Sequence, residues 1–381
     1  MQPNHPPDIE TPALVIDAAR LERNMETAAR IKRETGAKVL LATKAFALPA
    51  VFPMMRQYLD GTTASGEYEA RLGKETFGKE VHVYAPAFSE PELRNLLGLA
   101  DHIYFNSASQ LARFLPLVKA AQGKHVGIRI NPGYSNATLG GPLYDPCAPC
   151  SRFGATRDTL DDMPWDDIDI LHAHALCESM ADGSASLIAH VGANFAPYIS
   201  SVKAVNFGGG HFINKPGYDV TKLIDAVKAF RDKHGVDVIL EPGGGLVVDA
   251  GWLVSTVLDI HRNDKDIAIL DTSASTHMPD ILEVPYTPPV VGAGKPGEKA
   301  HDYILGGKTC MTGDVIGEFS FDQPLKVGDR VVFGDMAQYS FVKNTTFNGT
   351  PLPDLGVLEK DGTYRVIRRF GYDDFARRVG A

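Results

Sequence analysis

The sequence predicts an α/β protein: a (β/α)8 TIM-like barrel followed by a second, mostly β domain. Three observations predict it. Eight short apolar runs recur between residues 38 and 241, each followed by a helical or irregular connection. The runs are apolar throughout rather than alternating, as strands are when helices cover both faces of a parallel sheet. Past residue 241 the rhythm changes to strand-like runs with no helices between them. Eight β-α units in about 200–250 residues match a barrel in size. A doubly wound open sheet is the competing topology.

Taken in order, residues 11–17 read as a short strand after a proline-rich lead, and Asp17 caps a helix. Leu21, Met25, Ala28 and Ile31 form that helix's buried stripe, and Gly36 ends it. The eight runs lie near 38–43, 62–65, 80–84, 101–105, 125–131, 168–174, 202–207 and 236–241. Helices are expected over 107–122, rich in Leu and Ala, and over 219–234, where Leu223, Val227 and Phe230 share a face. Beyond the barrel, 247–260 and 267–271 read as strands, 285–296 as a proline-rich connection, and 327–333 and 364–368 as further strands. The expected division is 1–35 for an N-terminal strand and helix, 36–245 for the barrel and 246–381 for the C-terminal β domain. The first strand is expected to join the β domain.

The chain has 381 residues, 44% hydrophobic and 22% charged, enough to bury a core and too apolar for disorder. Its net charge of -9 argues against a nucleic-acid partner and favours cationic ligands. The lead Met1-Gln2-Pro3-Asn4-His5-Pro6-Pro7 has no basic or apolar region of a signal peptide, and no apolar run reaches the length of a membrane span. Four cysteines in a chain of this size point to a reduced, cytoplasmic protein. Cys147 and Cys150 have the spacing of half a zinc site, but no second pair follows, so a plain loop is the stronger reading and no metal is expected.

The first barrel run, Leu40-Leu41-Ala42-Thr43-Lys44-Ala45, ends on a lone lysine. Such a lysine either reaches solvent along its stem or works as an amine of lowered pKa that forms a Schiff base. In a barrel, chemistry collects at the C-terminal strand ends, with phosphate after the seventh and eighth strands. Here the sixth run ends at His174, the seventh in Gly208-Gly209-Gly210, and the eighth in Glu241-Pro242-Gly243-Gly244-Gly245. Glycine loops let backbone N–H groups approach a phosphate, although one triplet alone is more often a turn. A lysine, a phosphate site and a carboxylate in one pocket suggest pyridoxal 5'-phosphate, with Glu241 keeping the ring nitrogen protonated. His174 is a core histidine in isolation. Beside Lys44 and Glu241 it becomes a candidate for stacking on the cofactor ring.

Several stretches then carry a resemblance: Thr43-Lys44-Ala45, Thr62-Thr63-Ala64-Ser65, the histidine pair in 172–178, the glycine loop in 205–211, and Glu241-Pro242-Gly243. His277-Met278-Pro279-Asp280 and the runs 309–317 and 339–349 continue it. In this order the chain resembles the alanine-racemase-like, fold-type III decarboxylases that use pyridoxal phosphate, over nearly its whole length. Within them it is similar to the group that decarboxylates carboxynorspermidine and carboxyspermidine to norspermidine and spermidine. The resemblance implies Lys44 as the Schiff-base lysine, and His174 stacked on the ring. It implies Gly209, Gly210 and Gly243 on the phosphate with a hydroxyl from Tyr339, and Arg152 near the phenolic oxygen. It also implies a homodimer with shared sites, in which Cys310 and Asp314 come from the second subunit and Cys310 returns a proton to the decarboxylated carbon. Glu178 and Asp280 read as surface carboxylates or, in a polyamine cleft, as cation partners with Asp314. Met311 and Gly244 stand where ornithine and diaminopimelate decarboxylases have an acid and an arginine. Gly244 and Gln338 also depart from an acid and a histidine usual in the polyamine group. Another amino-acid decarboxylase or racemase of this fold is the alternative activity. A non-catalytic cofactor carrier is the third, against which the second domain with Cys310 and Asp314 speaks.

Overall fold

The computed structural model describes residues 9–136 and 145–381. The proline-rich lead Met1–Pro7 lies outside them. The described chain forms two compact units, one of residues 22–246 and one of residues up to Leu21 together with Val247–Ala381.

The larger unit is a closed parallel barrel. Its strands are β2 (Lys38–Ala42), β3 (Gly61–Ala64), β4 (Glu80–Tyr84), β5 (His102–Phe105), β6 (His125–Arg129), β7 (Ile170–His172), β8 (Ala204–Asn206) and β9 (Asp237–Leu240). Seven fall inside the runs read from the sequence, and β3 begins one residue before its run. β9 pairs back onto β2, with Lys38 opposite Ile239 and Val39 opposite Leu240, so the sheet closes and the open alternative is excluded. Helices form where apolar residues recur at helical spacing. Helix Ala108–Ala120 buries Leu111, Phe114 and Val118, and the Ser107 hydroxyl accepts the Gln110 N–H to cap it. Helix Val220–His234 buries Leu223, Ile224, Val227 and Phe230. Asp219 caps its start, while Arg231 and Lys233 lie near its carbonyl end, where cations oppose the helix dipole favourably.

The barrel interior mixes apolar packing with polar groups. Leu40, Tyr104, Ile170, Ala204 and Ile239 make one cluster. At the N-terminal ends of the strands, which form the floor, three histidine rings stack. His82 and His102 lie 3.8 Å apart between centroids, and His102 and His125 4.6 Å. Glu80, paired with Lys38 at 2.7 Å, lies beside them, and Asp169 meets His125 at 3.2 Å. Burial pushes His102 down to about 2, helped by His82, His125 and Lys38 and opposed by Glu80. The unfolded chain takes up a proton at this residue near pH 6.5, and the folded chain only near pH 2. Stability is therefore full above about pH 6.5 and falls below it, by up to about 1.4 kcal/mol per pH unit for this one group. His102→Asn is expected to flatten the loss of stability between about pH 6 and 4. Urea unfolding at a series of pH values checks this, and an acid limb as steep as that of the parent counts against it.

The smaller unit is a mostly β sheet in the order β13-β12-β11-β10-β1-β15-β16, with β14 paired to β10 off this path. The strands are β1 (Ala13–Asp17), β10 (Gly251–Asn263), β11 (Lys265–Leu270), β12 (His301–Gly306), β13 (Val315–Phe321), β14 (Arg330–Phe333), β15 (Asp354–Leu358) and β16 (Tyr364–Arg368). β1 runs antiparallel to β10 and parallel to β15, so the first strand of the chain does enter this sheet. Its residues Ala13 to Ile16 and their neighbours Trp252, Leu253 and Val254 are buried. Burying side chains of this size is worth about 1.5–3 kcal/mol each before entropy is counted. Strands β12, β13 and β15 were not expected from the sequence. Their runs, such as Val315-Ile316-Gly317-Glu318-Phe319, mix glycine and charge with apolar residues, and long-range pairing decides them.

Candidate active site

The barrel mouth is built from strand ends. Lys44 stands in the turn just after β2. That turn is tied on one side by Thr43 N–H and hydroxyl to the Thr63 carbonyl at 3.1 and 3.0 Å, and on the other by Ala42 N–H to the Pro242 carbonyl at 3.2 Å. Gly243 is needed for that closeness: a Cβ on it would come within 2.7 Å of the Ala45 Cβ. The Lys44 side chain is open to the mouth rather than packed in the core, yet the walls crowd it. Desolvation and the nearby Arg129 push its amine below the ordinary lysine range, while Glu241 and Glu69 oppose this. A lysine so shifted has more of the neutral amine available as a nucleophile.

Glu241, directly after β9, is 4% exposed and accepts a hydrogen bond at 2.7 Å from the amide of Asn206, the last residue of β8. Its other oxygen lies 3.7 Å from His172 Nε2. His174 is placed by the glycine loop: the Gly209 N–H donates to His174 Nδ1 at 3.2 Å. The neighbouring Gly208 has φ +66°, and a Cβ there would sit 2.6 Å from the His174 ring. Burial, Lys44 and Arg129 hold His174 well below the usual histidine value, so its ring is neutral. Of the expected residues, Lys44, His174, Gly209, Gly210, Glu241 and Gly243 all lie at these strand ends. Arg152 and Glu178 belong to the barrel and are exposed. The Arg152 guanidinium stacks on Phe153 at 4.3 Å, and Glu178 takes a left-handed backbone, φ +43°.

Sequence reasoning passed over Arg129, the last residue of β6. It is 5% exposed, donates to the His174 carbonyl at 2.9 Å and lies over the rings of Tyr84 and Phe153 at 4.6 and 4.5 Å. Its Nε has no hydrogen-bond partner, and Arg129 forms no ion pair among the described residues. A buried guanidinium without a counter-charge beside a lysine amine fits an anionic guest. The signal was available: a lone charge inside the otherwise apolar stretch 126–130. We expect Arg129→Met to weaken cofactor binding about tenfold to a hundredfold, read by titrating the apoprotein. Affinity within threefold of the parent would contradict the assignment.

The remaining expected residues lie in the smaller unit. Cys310 is at the tip of the β12–β13 connection, exposed, with its N–H on the Asn348 side chain at 2.8 Å. Asp314 closes that connection from inside. It accepts from Ser273 Oγ, Ala274 N–H and Ser275 N–H through one oxygen and from Thr309 N–H and Oγ1 through the other. The carboxylate is thus committed to holding the loop that carries Cys310. Asp280 pairs with Lys343, which also pairs with Glu283. Tyr339 has φ +47°. Cys147 and Cys150 are free thiols, and burial pushes Cys147 up to about 11.

Barrel enzymes that hold a phosphorylated carbonyl cofactor through a lysine need an activated amine, anion-binding strand ends and a carboxylate near the ring, and this mouth has the crowded Lys44 amine, two glycine loops and Glu241. The chain belongs to one such family, the pyridoxal-dependent decarboxylases: the family described as "Pyridoxal-dependent decarboxylase, C-terminal sheet domain" matches residues 14–337. It is similar to the carboxynorspermidine/carboxyspermidine decarboxylase of Campylobacter jejuni subsp. jejuni, 43% identical over 381 residues and covering 97% of this chain and 98% of that protein. The carboxyaminopropylagmatine decarboxylase of a Synechocystis strain is 39% identical, covering 98% and 96%. Among solved structures, the carboxynorspermidine decarboxylase of Campylobacter jejuni, complexed with norspermidine, superposes with a TM-score of 0.90 at 41% identity, covering 97% of this chain and all of that one. The cofactor is pyridoxal phosphate. No helix among the described residues is long and apolar enough to cross a membrane.

Proposed function

We propose that this enzyme is a carboxy-lyase of polyamine biosynthesis that decarboxylates carboxynorspermidine, carboxyspermidine or both, releasing norspermidine or spermidine. One observation carries the chemistry: the crowded Lys44 amine and the uncompensated Arg129 at the same mouth as Glu241. The near-full-length similarity to polyamine decarboxylases supports the substrate. When bound, pyridoxal phosphate supplies an electron sink for the pair released as the carboxylate leaves.

The chain's own groups do the rest. Lys44 would hold the cofactor's carbonyl through its amine. Glu241, steadied by Asn206, keeps a proton on the ring nitrogen. His174, fixed by Gly209, would cover one face of the ring. Gly209, Gly210 and Gly243, with the Tyr339 hydroxyl, would hold the phosphate, and Arg129 and Arg152 would meet the remaining anionic oxygen. Cys310 returns a proton to carbon from the second subunit of a homodimer, and Asp314 positions its loop. Glu178, Asp280 and the charge of -9 favour a long cationic substrate. Four free thiols suit a cytoplasmic enzyme.

Borohydride reduction followed by peptide mapping tests the tether, and carbon dioxide release from each carboxylated polyamine tests the reaction. Cofactor mass on the Lys44 peptide together with release is the expected result. Cofactor on another residue, or no release, rejects the reading. The 39% identity to a carboxyaminopropylagmatine decarboxylase makes that guanidino compound the second substrate to assay.

A further inference from the structure

We propose that Tyr104 and His82 are positioning residues for Glu241, forming with Asn206 a one-way hydrogen-bonded relay through the barrel from the floor carboxylate Glu80 to the carboxylate under the cofactor ring. The inference rests on the reading of Glu241 given above. A barrel interior is ordinarily filled by branched apolar side chains. This one instead places Tyr104, His82 and Asn206, all fully buried, end to end. Their polarity is set from the mouth downward. The Gly208 N–H donates to Asn206 Oδ1 at 2.8 Å, so the amide nitrogen must face the other way. That nitrogen donates to Glu241 Oε1 at 2.7 Å and to the Tyr104 oxygen at 3.2 Å. The Tyr104 oxygen accepts, so its proton goes to His82 Nδ1 at 2.8 Å. His82 is then protonated at Nε2, which lies 3.3 Å from Glu80 Oε2 and donates to it. Lys38 donates to both Glu80 oxygens, at 2.7 and 2.8 Å, and anchors the lower end.

Every donor along the path is used in one direction. Without the Tyr104 hydroxyl, one Asn206 N–H loses its acceptor inside the barrel, and the amide that aims Glu241 is free to turn. Glu80, His82 and His102 also offer three atoms within 4.8 Å of one another that could ligate a metal. Lys38 already holds both Glu80 oxygens, and both nitrogens of His82 are engaged, so the cluster serves the relay.

The test uses the full chain, with Tyr104→Phe, His82→Gln and His82→Leu. A glutamine can accept from Tyr104 with its oxygen and donate to Glu80 with its nitrogen; a leucine can do neither. In the apoprotein, nitrogen-15 spectra of labelled histidines should find His82 protonated at Nε2, and Tyr104→Phe should move the Nδ1 signal. In the holoenzyme, with the cofactor's ring nitrogen labelled, that signal should move toward its unprotonated position in Tyr104→Phe and His82→Leu. kcat should fall about tenfold in both while KM stays within about twofold, and His82→Gln should behave as the parent. Ring-nitrogen signals and kcat unchanged in Tyr104→Phe, or His82→Gln and His82→Leu behaving alike, would overturn the relay. If Tyr104→Phe does not fold, the His82 pair decides alone. Failure of the cofactor to attach to Lys44 would reject the functional reading instead, and the apoprotein spectra would still test the relay.

Discussion

Lys44→Ala is expected to lower kcat/KM by about a thousandfold or more, a loss of at least ~4 kcal/mol in transition-state stabilisation. The size follows from what the residue does. Its amine lies at the end of β2, where the Thr63 and Pro242 carbonyls pin the strand end, and where crowding by the mouth and Arg129 lowers its pKa. Lys38, on the same strand, is already paired with Glu80. The variant should fold with the parent's stability, because Lys44 makes no ion pair among the described residues and its side chain is not packed in the core. It should also carry no covalently held cofactor after borohydride reduction. A variant retaining a tenth of the parent's kcat/KM would mean that the covalent tether is elsewhere.

Cys310→Ala is expected to lower kcat by about a hundredfold, the ordinary worth of a positioned general acid. Restoration by mixing is the sharper test. Cys310 sits at an exposed loop tip fastened by Asp314 and Asn348, outside the barrel unit that holds Lys44. If each site takes its lysine from one chain and its cysteine from the other, equal amounts of Lys44→Ala and Cys310→Ala chains give mixed dimers with one intact site. With random exchange about half the dimers are mixed, so about a quarter of the parent activity should return. Sedimentation should give a dimer throughout. No recovery after verified exchange, or an active monomer, would remove the shared site.

The barrel was legible in the sequence because each of its strands is a short apolar run with its own turn signals, from Val39-Leu40-Leu41 to Val238-Ile239-Leu240. The sheet of the smaller unit was legible only where a run was apolar enough, as at β10 and β14. At β12, β13 and β15 the pairing is made by partners far along the chain, which local pattern does not encode. Lys44 and Glu241 could be picked out as charged residues closing apolar runs. Arg129 lies inside its run, followed by Ile130, so its position does not mark it as Lys44 and Glu241 are marked. Tyr104, His82 and Asn206 read as ordinary strand residues, since only the closed barrel brings their side chains together. The inward commitment of Asp314 to Ser273, Ala274, Ser275 and Thr309 depends on a fold-back of some forty residues that no spacing announces.

The most direct measurement for the central claim is a competition assay. Purified holoenzyme receives equal concentrations of carboxynorspermidine, carboxyspermidine, carboxyaminopropylagmatine, meso-diaminopimelate and ornithine in one vessel, and mass spectrometry follows each product with time. Norspermidine or spermidine should form first, at rates at least about a hundredfold above lysine or putrescine, a difference of ~2.7 kcal/mol in transition-state binding. Lysine or putrescine forming while the carboxylated polyamines remain untouched would contradict the account.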